Sequence, residues 1–336
     1  MKPIALSDII TVEDLVVVYP DGTRAVDGIS FAVKEGEFFG FLGPNGAGKS
    51  TTIKSLTTLL KKASGRVMVA GHDLDEDQSA IRKAIGVLGQ ETSLDIDLTG
   101  RENLRLQGRL QQLHGDELET RIDDLLELVQ LEDVGDKEAG RYSGGMRKRL
   151  DLASALIHKP RLLFLDEPTT GLDAQSRAAI WDYLDSLNRT ERITIFLTTQ
   201  YLEEADRLCR NLSIIDRGRI IAQGSPSELK AAIGGDAITL TLAGVENPSL
   251  NAKTMEVLRT IVGITRVTES DVGVTAYALN AGRIITDIVT SLDRAGVRPE
   301  SLSFSSPTLD DVFLRRTGRR IRTDELTRRE TEPFLM

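Results

Sequence analysis

The sequence is poor in the residues that hold small secreted domains together and in those that cross membranes. It has one cysteine in 336 residues, Cys209, which cannot close an internal disulfide; this suits a reducing compartment and excludes a disulfide-stapled fold. Aromatic residues make up only 4%, with a single tryptophan, and there are three histidines, His72, His114 and His158. Long apolar runs are missing as well. Leu162 to Leu165 and Ile193 to Leu197 fall far short of the ~20 residues that span a bilayer, so no membrane-crossing helix is expected. The first ten residues, MKPIALSDII, contain Asp8 and lack an apolar core with a small-residue cleavage site, so no signal peptide is expected there. Basic charge is not in excess: 42 Lys and Arg against 51 Asp and Glu give −9, which argues against a general nucleic-acid binder. What is present is 40% hydrophobic and 28% charged residues, the balance of an ordinary globular protein, and enough chain for two domains at roughly 100–200 residues each.

From Thr11 to Leu42, short β-rich runs alternate with turns: VEDLVVVYP, a turn at Pro20 to Gly22, AVDGISFAV and EFFGFL. STTIKSLTTLLKK then places Ile53, Leu56, Leu59 and Leu60 at helical spacing. Strands are expected at Arg66 to Ala70 and Ile85 to Leu88. From about Leu98 to Leu131 the β character disappears. Leu104, Leu110 and Leu113, then Leu118, Ile122, Leu125, Leu126 and Val129, mark two amphipathic helices within a helical insertion at about 91–160. RLLFLDE, ITIFLTT and NLSIID, with a helix across Ala174 to Leu187, have the alternation of an α/β core with a parallel sheet. Asp216 to Arg219 reads as a hairpin turn. After Leu229 the composition shifts, and strands at Asp236 to Leu242 and Thr265 to Leu279 with a helix at Ile284 to Ala295 make a smaller α+β unit. Arginines crowd the end from Arg315 onward, in a tail expected to fray. The boundaries read from the sequence are 1–230, 231–315 and 316–336.

The chemistry concentrates in two places. GPNGAGKST, Gly43 to Thr51, follows a strand and opens a helix, the context of a phosphate-binding loop. Gly43, Gly46 and Gly48 allow the backbone to curl past Pro44, so that the N–H groups of Asn45, Ala47 and their neighbours converge on phosphate oxygens. Lys49 would meet the β- and γ-phosphates and Ser50 would offer a hydroxyl to Mg²⁺, with Thr51 beside it. RLLFLDEP ends a core strand in Asp166 and Glu167, which a parallel sheet would deliver to its ligand-binding edge. Asp166 would hold the Mg²⁺ shell and Glu167 would polarise a water as general base. Taken alone, the first could be a glycine turn that binds nothing and the second a surface turn after a core strand.

YSGGMRKRL, Tyr142 to Leu150, lies between them, and the whole order resembles the ATP-binding-cassette ATPases over roughly Thr11 to Leu229. The resemblance implies an α/β P-loop NTPase core with an antiparallel β subdomain, the helical insertion and a small C-terminal α+β domain. It places Tyr19 against adenine, Gln90 in the Q-loop and at the metal, Ser143, Gly144 and Gly145 in the signature, and Asp173 in the D-loop. It implies ATP and Mg²⁺ as ligands and a head-to-tail homodimer, because Ser-Gly-Gly would close on the γ-phosphate held by the other copy. Three departures stand out. Tyr142 replaces the family's common leucine, Met146 replaces its common glutamine, and Gln200 stands where a histidine usually contacts the γ-phosphate; an amide can donate there but cannot carry a proton as imidazole does. Gln200 is accordingly assigned as a γ-phosphate sensor.

YSGGM with its basic run, LTTQYLEEAD, GRENL at Gly100 to Leu104 and PTLDDVFLRRTG at Pro307 to Gly318 are similar to daunorubicin-resistance-type ATPase subunits of drug exporters. That likeness extends over nearly the whole chain. It implies a separate integral membrane transporter subunit, a peripheral position at the cytoplasmic face of the membrane and a hydrophobic drug as cargo. Other readings are a lipid or polysaccharide exporter subunit and a non-transport cassette ATPase. One cassette without a long heptad insertion counts against the second, and a GTPase or kinase would have no use for Ser-Gly-Gly. The C-terminal unit reads as a dimer-stabilising domain before a regulatory one.

Overall fold

The computed structural model describes residues 7–242, 248–270, 273–278 and 281–319, and the chain separates into two compact units between Ser225 and Pro226. The first unit begins with an antiparallel pair, β1 (Asp8–Val18) and β2 (Arg24–Lys34), followed by β3 (Phe38–Leu42) and α1 (Lys49–Leu56). β4 (Ser64–Val69) and β5 (His72–Asp73) complete a four-stranded antiparallel sheet in the order β2-β1-β4-β5. Next come α2 (Gln78–Ala84), β6 (Ile85–Leu88) and the helical insertion α3 (Gly100–Leu110), α4 (Gly115–Leu128) and α5 (Gly144–Leu156). β7 (Leu162–Asp166), α6 (Ala174–Glu191), β8 (Thr194–Thr199), α7 (Leu202–Leu208), β9 (Asn211–Asp216) and β10 (Arg219–Gly224) finish the unit.

The second sheet runs β10-β9-β3-β8-β7-β6 and is parallel apart from its edge strand β10. Every residue of β3, β7 and β8 is buried, as expected for parallel strands covered on both faces. Their register aligns Leu42 with Thr199 and Asp166 with Thr198. The phosphate loop, the carboxylate pair and Gln200 therefore leave the sheet at one edge, where ligands of open α/β sheets bind. The scarce aromatics are pooled here. Phe31, Phe39, Phe41 and Phe164 each lie 5.4–5.9 Å, ring centre to ring centre, from Phe196, joining β2 to the central strands. Cys209 is packed under Gly40, where a Cβ would come within 2.6 Å of its Sγ, and burial pushes the thiol well above its usual range.

The second unit comprises α8 (Pro226–Ile233), β11 (Asp236–Leu242), α9 (Pro248–Arg259), β12 (Ile264–Ser270), β13 (Gly273–Ala278), α10 (Ala281–Arg294), β14 (Pro299–Ser305) and α11 (Leu309–Thr317). Its antiparallel sheet has the order β12-β13-β11-β14. Period-two alternation sends Ile238, Leu240, Val274 and Ala276 into a core with Leu258, Ile288 and Leu292. The other face carries hydroxyls, with Thr239 and Thr275 bonded at 3.2 Å and Ser301 donating to Thr241 at 2.9 Å.

Several local expectations are corrected. The helix after the phosphate loop stops at Leu56: Thr58 takes φ 67, which no helix accommodates, and Leu59 is left 71% exposed. The single strand expected over Thr265 to Leu279 is a hairpin, β12 and β13, pairing Ser270 with Gly273. The boundary expected after residue 230 would cut α8, which belongs whole to the second unit. Arg315 and Arg316 are not tail. They occupy the last turn of α11, where cations suit the helix dipole, ahead of a left-handed cap at Gly318. The rest of the expected tail, from Arg320 on, lies outside the described residues. α9 and β14 carry no strong period and were not expected.

Candidate active site

The loop between β3 and α1 is shaped by its glycines in two ways. Gly46 (φ 76) and Gly48 (φ 109) hold left-handed conformations, and a Cβ on Gly48 would come within 2.6 Å of the Ala25 carbonyl. Gly43 needs no unusual φ; its Cβ would strike the Ile215 carbonyl on β9, so it serves close packing rather than curvature. The loop ends at α1, whose first-turn N–H groups are without intrahelical partners. Lys49, 4% exposed, is held by three contacts: it donates to the carbonyls of Gly43 (2.8 Å) and Pro44 (3.1 Å) and pairs with Glu167 Oε1 (2.9 Å).

Strict alternation along β7 would send the adjacent Asp166 and Glu167 to opposite faces. Glu167 breaks it by adopting φ 50, a conformation that costs a non-glycine residue about 1–3 kcal/mol. Its N–H is held by the carbonyl and hydroxyl of Thr198 (3.1 and 3.2 Å). Both carboxylates thus turn toward the loop. Glu167 meets Lys49, with its Oε2 accepting from Thr170 Oγ1 at 3.2 Å. Asp166 Oδ1 accepts from Ser50 Oγ (3.1 Å) and from Thr198 Oγ1 (2.6 Å). Gln90 Nε2 lies 3.5 Å from Ser50 Oγ, which puts three oxygen-bearing side chains in one line of contacts.

These groups border a cavity of about 840 Å³. Of the residues expected from the sequence, Tyr19, Asn45, Gly46, Gly48, Lys49, Ser50, Thr51, Gln90, Glu167 and Gln200 line it. Tyr19 stands at the α1 side, its hydroxyl 3.0 Å from Thr51 Oγ1. Gln200 is 2% exposed, and its Oε1 is buried with no hydrogen-bond partner among the described residues. Gly43, Pro44 and Ala47 form the back of the loop, and Asp166 sits behind Ser50.

Ser143, Gly144, Gly145 and Asp173 do not reach this cavity. Ser143 caps α5, accepting from the Met146 N–H at 3.2 Å. Asp173 caps α6, and the N–H and hydroxyl of Ser176 hold its carboxyl below the usual range. The two caps are neighbours: a Cβ on Gly145 would lie 3.2 Å from Ser176 Oγ. Thr23, Arg24, Ala25, Thr170, Arg217 and Gly218 also line the cavity and were missed. Arg217 and Gly218 belong to the β9–β10 turn, already visible as a turn in the sequence, but only folding lays it against the loop, with Gly218 N–H donating to the Ala47 carbonyl at 2.9 Å.

Residues 26–170 match the family model of the ABC transporter, and residues 224–317 match that of the ATP-binding protein DrrA1-3-like, C-terminal domain. The chain is 45% identical over 295 residues to the daunorubicin resistance ATP-binding protein DrrA3 of Streptomyces coeruleorubidus, covering 88% of this chain and 92% of that one. It is 42% identical over 304 residues to the daunorubicin/doxorubicin resistance ATP-binding protein DrrA of Streptomyces peucetius, covering 90% and 91%. Among solved structures it is similar to cbiO1 from Clostridium perfringens, part of the ABC transporter complex cbiONQ, with 32% identity and a TM-score of 0.63 over 67% of this chain and 91% of that one. A dimeric ATP-binding cassette in a post-hydrolysis state, bound to ADP and Pi, matches with 25% identity and a TM-score of 0.59 over 64% and 98%. With both units matched and about nine-tenths of the chain aligned at such identity, the chain belongs to the ATP-binding subunits of ABC transporters, in the daunorubicin-resistance-type group, and is an ATPase.

Proposed function

We propose that the chain powers efflux of a hydrophobic drug or antibiotic, hydrolysing ATP as a head-to-tail homodimer attached to a separate membrane-spanning subunit at the cytoplasmic face. The observation that carries the catalytic part is the pairing at one sheet edge of Lys49 with Glu167 and of Ser50 with Asp166. An arriving γ-phosphate competes with Glu167 for Lys49. Once Lys49 turns to the phosphate, Glu167 is left in a buried site with a free oxygen to accept a proton from the attacking water. Gln200 donates its amide to the γ-phosphate.

The Ser50 hydroxyl and the Asp166 carboxylate fit Mg²⁺, as would Gln90 once its amide turns its oxygen, in place of Nε2, toward Ser50, and among the described residues no group of three or more His, Cys, Asp or Glu offers a rival metal cage. When bound, the ion neutralises phosphate charge. Tyr19 takes the adenine, and the loop from Gly43 to Thr51 takes the phosphates.

Ser143 and Gly144 are exposed at the start of α5 and lie outside the lining of the chain's own cavity, which suits closure on the ATP of a second copy. The D-loop residue Asp173 moves with them through the neighbouring cap. No described helix is long and apolar enough to cross a membrane. A groove of about 250 Å³ lined by Leu59, Val87, Ser93, Gln107 and Gln111 suits a segment of the membrane subunit, since Leu59 (71%) and Val87 (38%) are exposed apolar side chains on it. Co-purification from membranes with an integral protein tests the transport reading. Loss of that association in Leu59→Asp/Val87→Asp, with ATP binding kept, is the expected result; a chain that never associates with a membrane protein overturns it.

A further inference from the structure

Behind the Gln200 end of β8 lies a carboxyl that none of these roles uses. Glu204, in the first turn of α7, is 0% exposed. Its Oε1 accepts from Thr169 Oγ1 (2.9 Å) and from Trp181 Nε1 (2.8 Å), while Oε2 is buried with no partner within hydrogen-bond geometry among the described residues. Burial pushes this carboxyl above its usual range, against the pull of the Thr199 hydroxyl, the Trp181 indole, the Thr169 hydroxyl and the Arg177 charge. A carboxyl in such a place is costly, and a core position of this kind is ordinarily filled by an apolar side chain.

The partners explain its position. Thr169 is two residues beyond Glu167, and Thr170 next to it holds Glu167 Oε2 at 3.2 Å. Thr199 immediately precedes Gln200. Trp181 lies on α6, the helix that Asp173 opens. Glu167 itself sits at φ 50, and a strained residue persists only where its surroundings over-determine it.

We propose that Glu204 is a positioning residue, which pins the segment after Glu167 through Thr169 and the start of α7 after Gln200, and so fixes how Glu167 faces Gln200 across the γ-phosphate site. This rests on the roles proposed above for Glu167 and Gln200. A side chain that only filled space would be replaceable by leucine without a specific loss of turnover. A positioning group must instead keep its acceptor, and a neutral amide keeps it.

The test uses the full-length protein and the variants Glu204→Leu, Glu204→Gln and Thr169→Val, with Glu167→Gln in parallel. ATP affinity, kcat, KM and melting temperature are measured for each. Glu204→Leu is expected to lower kcat by about tenfold or more with KM and ATP affinity within about twofold, and Glu204→Gln to restore kcat to within about threefold. Thr169→Val, which removes one donor from a different element, should lower kcat several-fold in the same pattern. An unchanged kcat in folded Glu204→Leu overturns the proposal, as does a Glu204→Gln variant no better than the leucine. If Glu204→Leu does not fold, Thr169→Val decides: full kcat there overturns it. Hydrolysis surviving in Glu167→Gln refutes the underlying roles, whereas an inactive Glu167→Gln beside a fully active Glu204→Leu refutes only this inference.

Discussion

In the first unit Lys49, Asp166, Glu167, Gln200 and Glu204 are each 7% exposed or less, and all of them stand at or behind the same edge of the central sheet. In the second, the buried polar residues among those described are Asn251, Thr254 and Thr275, none of them ionisable. Burying charge is expensive unless it is paired, and breaking a buried pair leaves the survivor stranded. Apart from Glu37 at the opposite end of β3, much of that cost in the first unit falls at the sheet edge that bears the glycine loop. The second spends its interior on aliphatic packing around Leu240, Leu258 and Ile288 and keeps its hydroxyls on the sheet face turned away from that core. Buried ionisable groups, more than any count of elements, separate the first unit from the second.

The sharpest way to break this contrast is Glu167→Gln, which should lower ATP turnover by ~10³-fold while leaving ATP binding intact; steady-state hydrolysis against nucleotide affinity reads both, and substantial residual turnover would remove Glu167 from its role. Lys49→Ala should destabilise the protein by about 3–5 kcal/mol in urea denaturation, because Glu167 is left buried and unpaired, and should abolish ATP binding. Lys49→Ala/Glu167→Gln should recover most of the stability but none of the binding, which separates the ion-pair cost from the phosphate contact.

If the chemistry belongs wholly to the first unit, a chain ending at Ser225 should fold and hydrolyse ATP within about threefold of the full chain in the absence of a membrane partner. A large loss would show that the accessory unit reaches the site. The smallest effect is expected from Thr239→Val, which removes the Thr239–Thr275 contact: about 0.5–1 kcal/mol of stability by thermal denaturation and no change in kcat.

The local order of the first unit was largely legible. β3, β7 and β8 are continuous apolar runs, and a run such as LLFLD has few alternatives to a covered parallel strand. Lys49, Ser50, Gln90 and Glu167 were placed from spacing and family resemblance, and the fold does bring them around one cavity. The errors came where one residue overrode the periodic pattern. Thr58 at φ 67 ended α1 early, and Thr265 to Leu279 holds two antiparallel strands, β12 and β13, in place of one. In the second unit α9 and β14 were not seen, since β14 is an edge strand with Glu300, Ser301, Ser303, Phe304 and Ser305 exposed and so lacks the alternation that marks a half-buried strand. Glu204 was invisible for another reason: LEEAD reads as an exposed acidic helix start, and only the packing of α7 against α6 and β8 encloses one of its two glutamates.

Contiguous residues whose chemistry is carried by backbone curvature were settled by the chain itself. Gly46 and Gly48 set the curl of the phosphate loop, and the apolar run ending in Asp166-Glu167 set which strand would bear the carboxylates. Relations between distant segments were not. That Glu167 turns against its own strand to meet Lys49, that Thr198 rather than a solvent molecule holds Asp166, that Gly218 backs the loop and that Glu204 lies under Thr169 all depend on the order of strands in the sheet. Sequence periodicity reports which face of an element is buried, whereas strand order decides which side chains share that burial, and electrostatics in a low-dielectric site follows from the second.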